Sequence, residues 1–296
     1  NCDIIIATHK ILSKDISFHN LGLLIIDEEH RFGVTHKEKL KNIKVNIDII
    51  TLTATPIPRT LQLSLASVKD LSIIATPPVA RIPIQTQVGI FNEEIIKDAI
   101  MRELNRGGQI YYLYNDVAKM LKMAQFLQKL LPNLRIAIAH GQMPQTKLDS
   151  IMHGFYHKQY DLCLCTTIIE SGIDVPNANT IIIDRADKLG LAQLHQIRGR
   201  VGRAHHQAYA YLLTPEHAPI TKDAEKRLDA ITSLEDLGSG FALATHDLEI
   251  RGAGDLLGAE QSGNIQEIGF TLYNELLEKT VNALKRGEDF DIESHD

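Results

Sequence analysis

Short apolar, β-branched runs alternate along this chain with amphipathic segments of helical period. A strand that is apolar at nearly every position has no face to offer water, so it must be covered on both sides. Alternation with helices supplies that cover, and the pattern predicts parallel sheets with crossover helices, an α/β fold. Strands are expected at 3–7, 23–26, 47–52, 110–114, 135–140, 160–167, 179–184 and 208–213. Helices are expected over Glu93–Asn105, over 116–131 and after Pro144. A last amphipathic helix runs through Leu272, Leu276, Leu277, Val281 and Leu284.

Two proline-bearing stretches, TPIPRT and TPPVARIP, interrupt this rhythm. Proline blocks both helix interiors and central strands, so the second stretch, 76–83, marks the domain boundary. After Asp236 the rhythm breaks into a glycine-rich mixed segment. The expected organisation is therefore 1–82, 83–238 and 239–296, and 296 residues suffice for two cores. Asn1 is not an initiator methionine and the chain opens inside a strand-like run, so an internal piece of a longer protein is expected.

The formal net charge of −6 argues against a generally basic, nucleic-acid-coating surface, while leaving room for a local basic track. Cys163 and Cys165 alternate within LCLC, the pattern of reduced core thiols in a reducing compartment. No signal peptide opens the chain and no apolar run approaches membrane-spanning length, so no membrane partner is expected.

In LLIIDEEHRFGV, four aliphatic residues run directly into Asp27, Glu28 and Glu29. Carboxylates at the mouth of a rigid strand suit a nucleoside triphosphatase. One holds Mg²⁺ through its water shell and the next accepts a proton from the attacking water. Read alone, the same residues are a solvated loop start. In TLTATP, Thr53 and Thr55 flank Ala54 after another apolar run; they suit a relay from the acids, or a turn or helix cap. In QLHQIRGRVGR, Arg198, Arg200 and Arg203 lie close together, and Gly199 and Gly202 permit close backbone approach. Guanidinium groups so spaced suit a triphosphate, or a nucleic-acid backbone. In CTTIIESGIDVP, Thr166 and Thr167 suit a phosphate contact and Asp174 suits a ribose hydroxyl, with Gly172 at the turn.

Taken in order, DEEH, TAT, ESGID and QIRGRVGR resemble the motifs of the superfamily 2 helicases and translocases. The resemblance covers nearly the whole chain. It implies two RecA-like domains, the first only partial, clamping ATP with Mg²⁺ in the cleft between them, followed by a helical translocation segment. It makes Asp27 and Glu28 the metal-and-base pair, with Asp27 the Mg²⁺ residue acting through water, and Arg200 and Arg203 arginine fingers. Gly172, Asp174 and Gln196 become nucleotide-binding residues. His30, Thr53 and Thr55 become coupling residues, and Thr8, His9, Thr166 and Thr167 contacts to the DNA backbone. The family's phosphate loop, GxxxxGK[ST], does not occur in these 296 residues, so negligible ATP hydrolysis is expected of the chain by itself.

Residues 241–263, FALATHDLEIRGAGDLLGAEQSG, are similar to the translocation motif of duplex-DNA motors. Together with LTLTATPIPRTL and GLAQLHQIRGRVGR, they favour the bacterial transcription-repair coupling factor family over the RecG helicases. That family implies non-sequence-specific walking on double-stranded DNA in the bacterial cytoplasm. RNA polymerase and an excision-repair protein are engaged through modules outside this chain. Arg251 and Gln261 are the expected translocation residues, although Arg251 also has Asp247 and Glu249 within pairing distance in sequence. A RecG-like helicase of branched DNA and a non-hydrolytic half-motor stay as alternatives.

Overall fold

The computed structural model describes residues 3–13, 16–28, 32, 47–53, 72, 74, 82–171, 174–202 and 206–233. The chain divides into two compact units, Asn1–Ile57 and Pro58–Asp296. The expected boundary at 76–83, the segment 239–296 and the last helix fall largely or wholly outside the described residues.

In the first unit, β1 (Leu23–Asp27) pairs in parallel with β2 (Asp48–Leu52), with Ile25 opposite Ile50 and Asp27 opposite Leu52. One face of this pair, carrying Leu24, Ile26 and Ile49, packs with Ile11, Leu12 and Phe32. Leu12 belongs to a 3-10 turn over His9–Leu12. Residues 3–7, expected as a strand, are not one: Ile4 and Ile6 are 83% and 97% exposed. A β-branched run becomes a strand only against a ladder partner, and no described strand pairs with this one.

The second unit is a six-stranded, wholly parallel sheet in the order β3-β8-β7-β4-β6-β5. Its strands are β3 (Gln85–Ile90), β4 (Gln109–Leu113), β5 (Ile136–Ala139), β6 (Leu162–Cys165), β7 (Ala178–Ile183) and β8 (Tyr209–Thr214). Residues along each central strand alternate between two cores. Tyr111, Cys163, Cys165, Ile181 and Leu212 face one, whereas Ile110, Tyr112, Leu164, Ile182 and Leu213 face the other. Helices α1 (Glu93–Asn105) and α2 (Met120–Leu130) close the second face. Helices α3 (Gln145–Tyr156), α4 (Leu191–Arg198) and α5 (Lys222–Ser233) close the first. This is the parallel, doubly covered sheet that the sequence pattern requires.

Local signals explain the element boundaries. Asn92 caps α1, its side chain accepting from the Glu94 and Ile95 N–H groups. Asp116 caps a 3-10 turn, Val117–Lys119, that leads into α2, so the expected single helix over 116–131 is two elements. Cys163 and Cys165 are free, fully buried thiols, as their alternation predicts. Three elements went unread in the sequence: β3, α4 and α5. Strand β3 is an edge strand, QTQVGI, mostly exposed, and an edge needs no continuous apolar run. Helices α4 and α5 carry short apolar stripes, Leu191, Leu194 and Ile197, and Ala224, Leu228 and Ile231. Among the described residues, no helix is long and apolar enough to cross a membrane.

Candidate functional site

Asp27 ends β1 with its side chain exposed, on the same face of the sheet as Leu23 and Ile25. Glu28 follows with φ 51°, in the left-handed region that non-glycine residues rarely occupy. Its N–H still donates to the Leu52 carbonyl at 2.9 Å, so the ladder holds the backbone while the chain turns. Continuing the parallel register by one position sets Thr53 opposite Glu28. There the Thr53 hydroxyl donates to Glu28 Oε2 at 3.3 Å. Two motifs separated by 25 residues thus meet side chain to side chain. Left-handed strain of about 1–3 kcal/mol in a non-glycine residue persists only where neighbouring structure enforces it, and such residues cluster at functional sites. His30 and Thr55 lie outside the described residues, as does the side chain of His9; Thr8 precedes the 3-10 turn and is exposed.

In the second unit, Thr166 and Thr167 lie at the carboxyl end of a central strand. That end is where parallel α/β sheets bind ligands, at the point where strand order reverses. Here the reversal is at β4, which has β6 on one side and β7 on the other. Thr166 and Thr167 follow β6 directly and are half-buried. The Thr166 N–H donates to the Ala139 carbonyl at 3.3 Å, and the Thr167 N–H donates to Asn115 Oδ1 at 3.1 Å. Asn115, just beyond β4, was missed in the sequence. An asparagine two residues past an apolar run was its only local mark. It satisfies the first N–H of the 3-10 turn Thr167–Ser171 and so sets the direction of both threonines' backbone.

The three arginines of the glycine-bearing motif divide. Arg198 ends α4 with only 4% exposure, and its Nη1 donates to the Ile231 carbonyl on α5 at 2.8 Å. Burial pulls its guanidinium down to about 10, still charged at neutral pH. Arg198 is a strut between two helices. Arg200, past the helix end, is only half-buried. Burial first, then the Cys163 and Cys165 thiols, push the Tyr111 hydroxyl above its ordinary range; Arg200 pulls it down and Asp174 pushes it up. Arg200 and Asp174, from different motifs, therefore both lie within electrostatic reach of the Tyr111 hydroxyl. Asp174 is exposed and Gln196 is half-buried on α4; Gly172, Arg203, Arg251 and Gln261 lie outside the described residues.

The loop entering α4 is held rigidly. Arg227 donates to the carbonyls of Leu189 and Asp187 at 3.2 and 3.1 Å, and the Gly190 N–H donates to Gln193 Oε1 at 3.4 Å. Gly202 has φ 75°, and a Cβ there would come within 2.9 Å of Ile84 Cγ1. The close backbone approach expected of this glycine is made to a core side chain.

Residues 1–64 match the DEAD/DEAH box helicase family, and residues 92–205 match the helicase conserved C-terminal domain. The transcription-repair-coupling factor of Escherichia coli is 61% identical over 98% of this chain, which spans 25% of that protein. The coupling factor of Staphylococcus aureus is 54% identical over 96% of the chain and 24% of its own length. The chain is thus similar over nearly its whole length to a segment of the transcription-repair coupling factors, and spans about a quarter of their length. These matches are to a family of ATP-dependent helicases and translocases. A solved structure of RecG bound to a three-way DNA junction is 34% identical, with a TM-score of 0.69 over 93% of this chain and 36% of that one. Yeast Dbp5, solved with RNA and ADP BeF3, shares the fold at 14% identity and a TM-score of 0.55, covering 82% of this chain and 66% of that one.

Proposed function

We propose that this chain is the motor portion of an ATP-driven translocase on double-stranded DNA, working in bacterial transcription-coupled repair. In this reading it displaces stalled RNA polymerase and brings in excision repair through regions outside the 296 residues. The observation that carries the motor reading is the left-handed Glu28 with Thr53 donating to its carboxylate. The repair role is supported by 61% and 54% identity to the coupling factors.

Asp27 is an exposed carboxylate that would hold Mg²⁺ through its water shell, the hard oxygen environment this ion takes. Bound Mg·ATP supplies the phosphoryl group and its leaving diphosphate. Glu28 Oε2 then receives the proton of the attacking water while Thr53 keeps the carboxylate aimed. Arg200, with Arg203, meets the charge that develops on the phosphoryl oxygens. Gly172, Asp174 and Gln196 bind the nucleotide. Thr8, His9, Thr166 and Thr167 grip phosphates, which carry no sequence information, so binding is non-specific and salt-sensitive. His30, Thr53 and Thr55 couple ATP state to that grip. Arg251 and Gln261 convert hydrolysis into travel. The likeness to RecG on a junction supports a second reading, a helicase of branched DNA, at lower identity.

The test uses a protein extended to carry the phosphate loop as well. Phosphate release stimulated by linear duplex, with displacement of a triplex-forming strand, is the expected result. Arg251→Ala should retain turnover and lose displacement. Stimulation confined to branched junctions would replace this reading with the RecG-like one.

A further inference from the structure

The carboxyl-terminal turn of α3 carries two histidines that the motor reading does not use. His153 and His157 stand one helical turn apart on its exposed side, with their Nε2 atoms 3.1 Å apart and ring centroids 4.3 Å apart. In a metal-free chain one ring donates its N–H to the lone pair of the other. The same spacing suits a chelate. Two bonds of about 2.05 Å to one ion, meeting near 100°, put their nitrogens about 3.1 Å apart.

The backbone beneath the pair is fixed. Phe155, between the two histidines, is fully buried against Tyr111, and its carbonyl accepts from Gln109 Nε2 at 2.7 Å. Gly154 packs so closely that a Cβ there would meet Gln159 Oε1 at 2.8 Å. The His157 N–H closes the helix on the His153 carbonyl at 3.0 Å, and Lys158 leaves the helix with φ 58°. The Tyr156 ring stands edge-on to His157 at 5.3 Å. Two donors held in place before binding lose little freedom on binding. The helix carboxyl terminus adds a partial negative charge that favours a cation.

The geometry points to a bidentate, surface site for a divalent transition metal of the borderline class, Zn²⁺, Ni²⁺ or Cu²⁺, on His153 and His157. Imidazole pairs suit these ions and not the hard Mg²⁺ of ATP chemistry. Among the described residues, no group of three or more histidine, cysteine or carboxylate side chains forms a metal site. The pair therefore leaves positions of the ion open to water or to a donor from another molecule.

Calorimetric titration of the 296-residue chain with Zn²⁺ tests this. The unmodified chain should bind one Zn²⁺ more tightly than His153→Gln or His157→Gln, by about a hundredfold, the gain expected of two linked donors over one. Zn²⁺ should raise the melting temperature of the unmodified chain alone, and Mg²⁺ should not. Isotherms unchanged by either substitution would overturn the assignment. A check that needs no variant is the electron paramagnetic resonance of the chain with one equivalent of Cu²⁺. Coupling to two imidazole nitrogens is expected, and coupling to one would also overturn it.

Discussion

Thr53 donates to the carboxylate of Glu28 at 3.3 Å, across the carboxyl ends of two paired parallel strands. The bond is a product of register: Asp27 opposes Leu52, so the residues that follow each strand are neighbours. It gives the second motif a direct hold on the proposed base. In the protein carrying the phosphate loop, Glu28→Gln should lower turnover by about 10²–10⁴ while ATP and DNA binding persist. Thr53→Val should fall between that variant and the unmodified protein, and Thr53→Ser should recover most of the loss. Steady-state phosphate release decides it. A Thr53→Val enzyme at full rate would detach Thr53 from the chemistry.

Arg198 and Arg200 are two residues apart and should fail differently. Arg198→Ala leaves the Ile231 carbonyl without its donor and opens a void between α4 and α5. A loss of about 2–4 kcal/mol follows, read as a lowered melting temperature of the 296-residue chain. Arg200→Ala should lower the melting temperature less. In the protein with the phosphate loop it should reduce turnover by about 10³ with nucleotide affinity nearly kept. Equal effects of the two substitutions on melting would remove the distinction.

The two glycines of the same motif separate on conformation. Gly199 has φ −67°, and an added Cβ would make ordinary contacts from 3.4 Å. Gly199→Ala should therefore cost no more than about 0.5 kcal/mol. Gly202→Ala must hold φ 75° and press within 2.9 Å of Ile84 Cγ1 and 3.2 Å of Ala208 Cβ. It should lose about 1–3 kcal/mol in thermal or urea unfolding.

Arg135 and Asp161 form a two-pronged ion pair, with Nε and Nη2 each donating to a carboxylate oxygen at 3.0 and 2.6 Å. Burial raises the Asp161 carboxyl, but the Arg135 side chain and N–H outweigh it, leaving the group below its usual 3.8. A depressed carboxyl stabilises the fold above the unfolded value and ceases to do so as pH falls through the folded one. Asp161→Asn should cost about 1 kcal/mol near neutrality, since Arg135 is largely exposed. The gap between the two unfolding curves should close below about pH 4. A gap that widens in acid would reverse the assignment.

Most of the second unit was legible because its signals are local. The runs of β4, β6 and β7 are mostly apolar and buried at every position, as a strand covered on both faces must be. Asn92 and Asp116 cap their helical segments within three residues, so those starts could be read directly. The motif residues were likewise visible as residue types at fixed spacing. Other features depended on partners distant in the chain. Residues 3–7 look like a strand, but nothing in their composition says whether a ladder awaits them. Strand β3 reads as polar coil and is a strand because β8 offers it a free edge.

The sequence by itself determined the α/β class and the order of the motifs, and their resemblance to known motifs pointed to the family. The class rests on period and composition, which are properties of neighbouring residues. Tertiary structure alone decided that Arg198 is a strut while Arg200 stays near the surface, and that Asn115 fixes the turn after β6. It also decided that Thr53 meets Glu28. Each of these depends on register and packing between segments 25 or more residues apart, where a shift of one position would send the side chain to the opposite face.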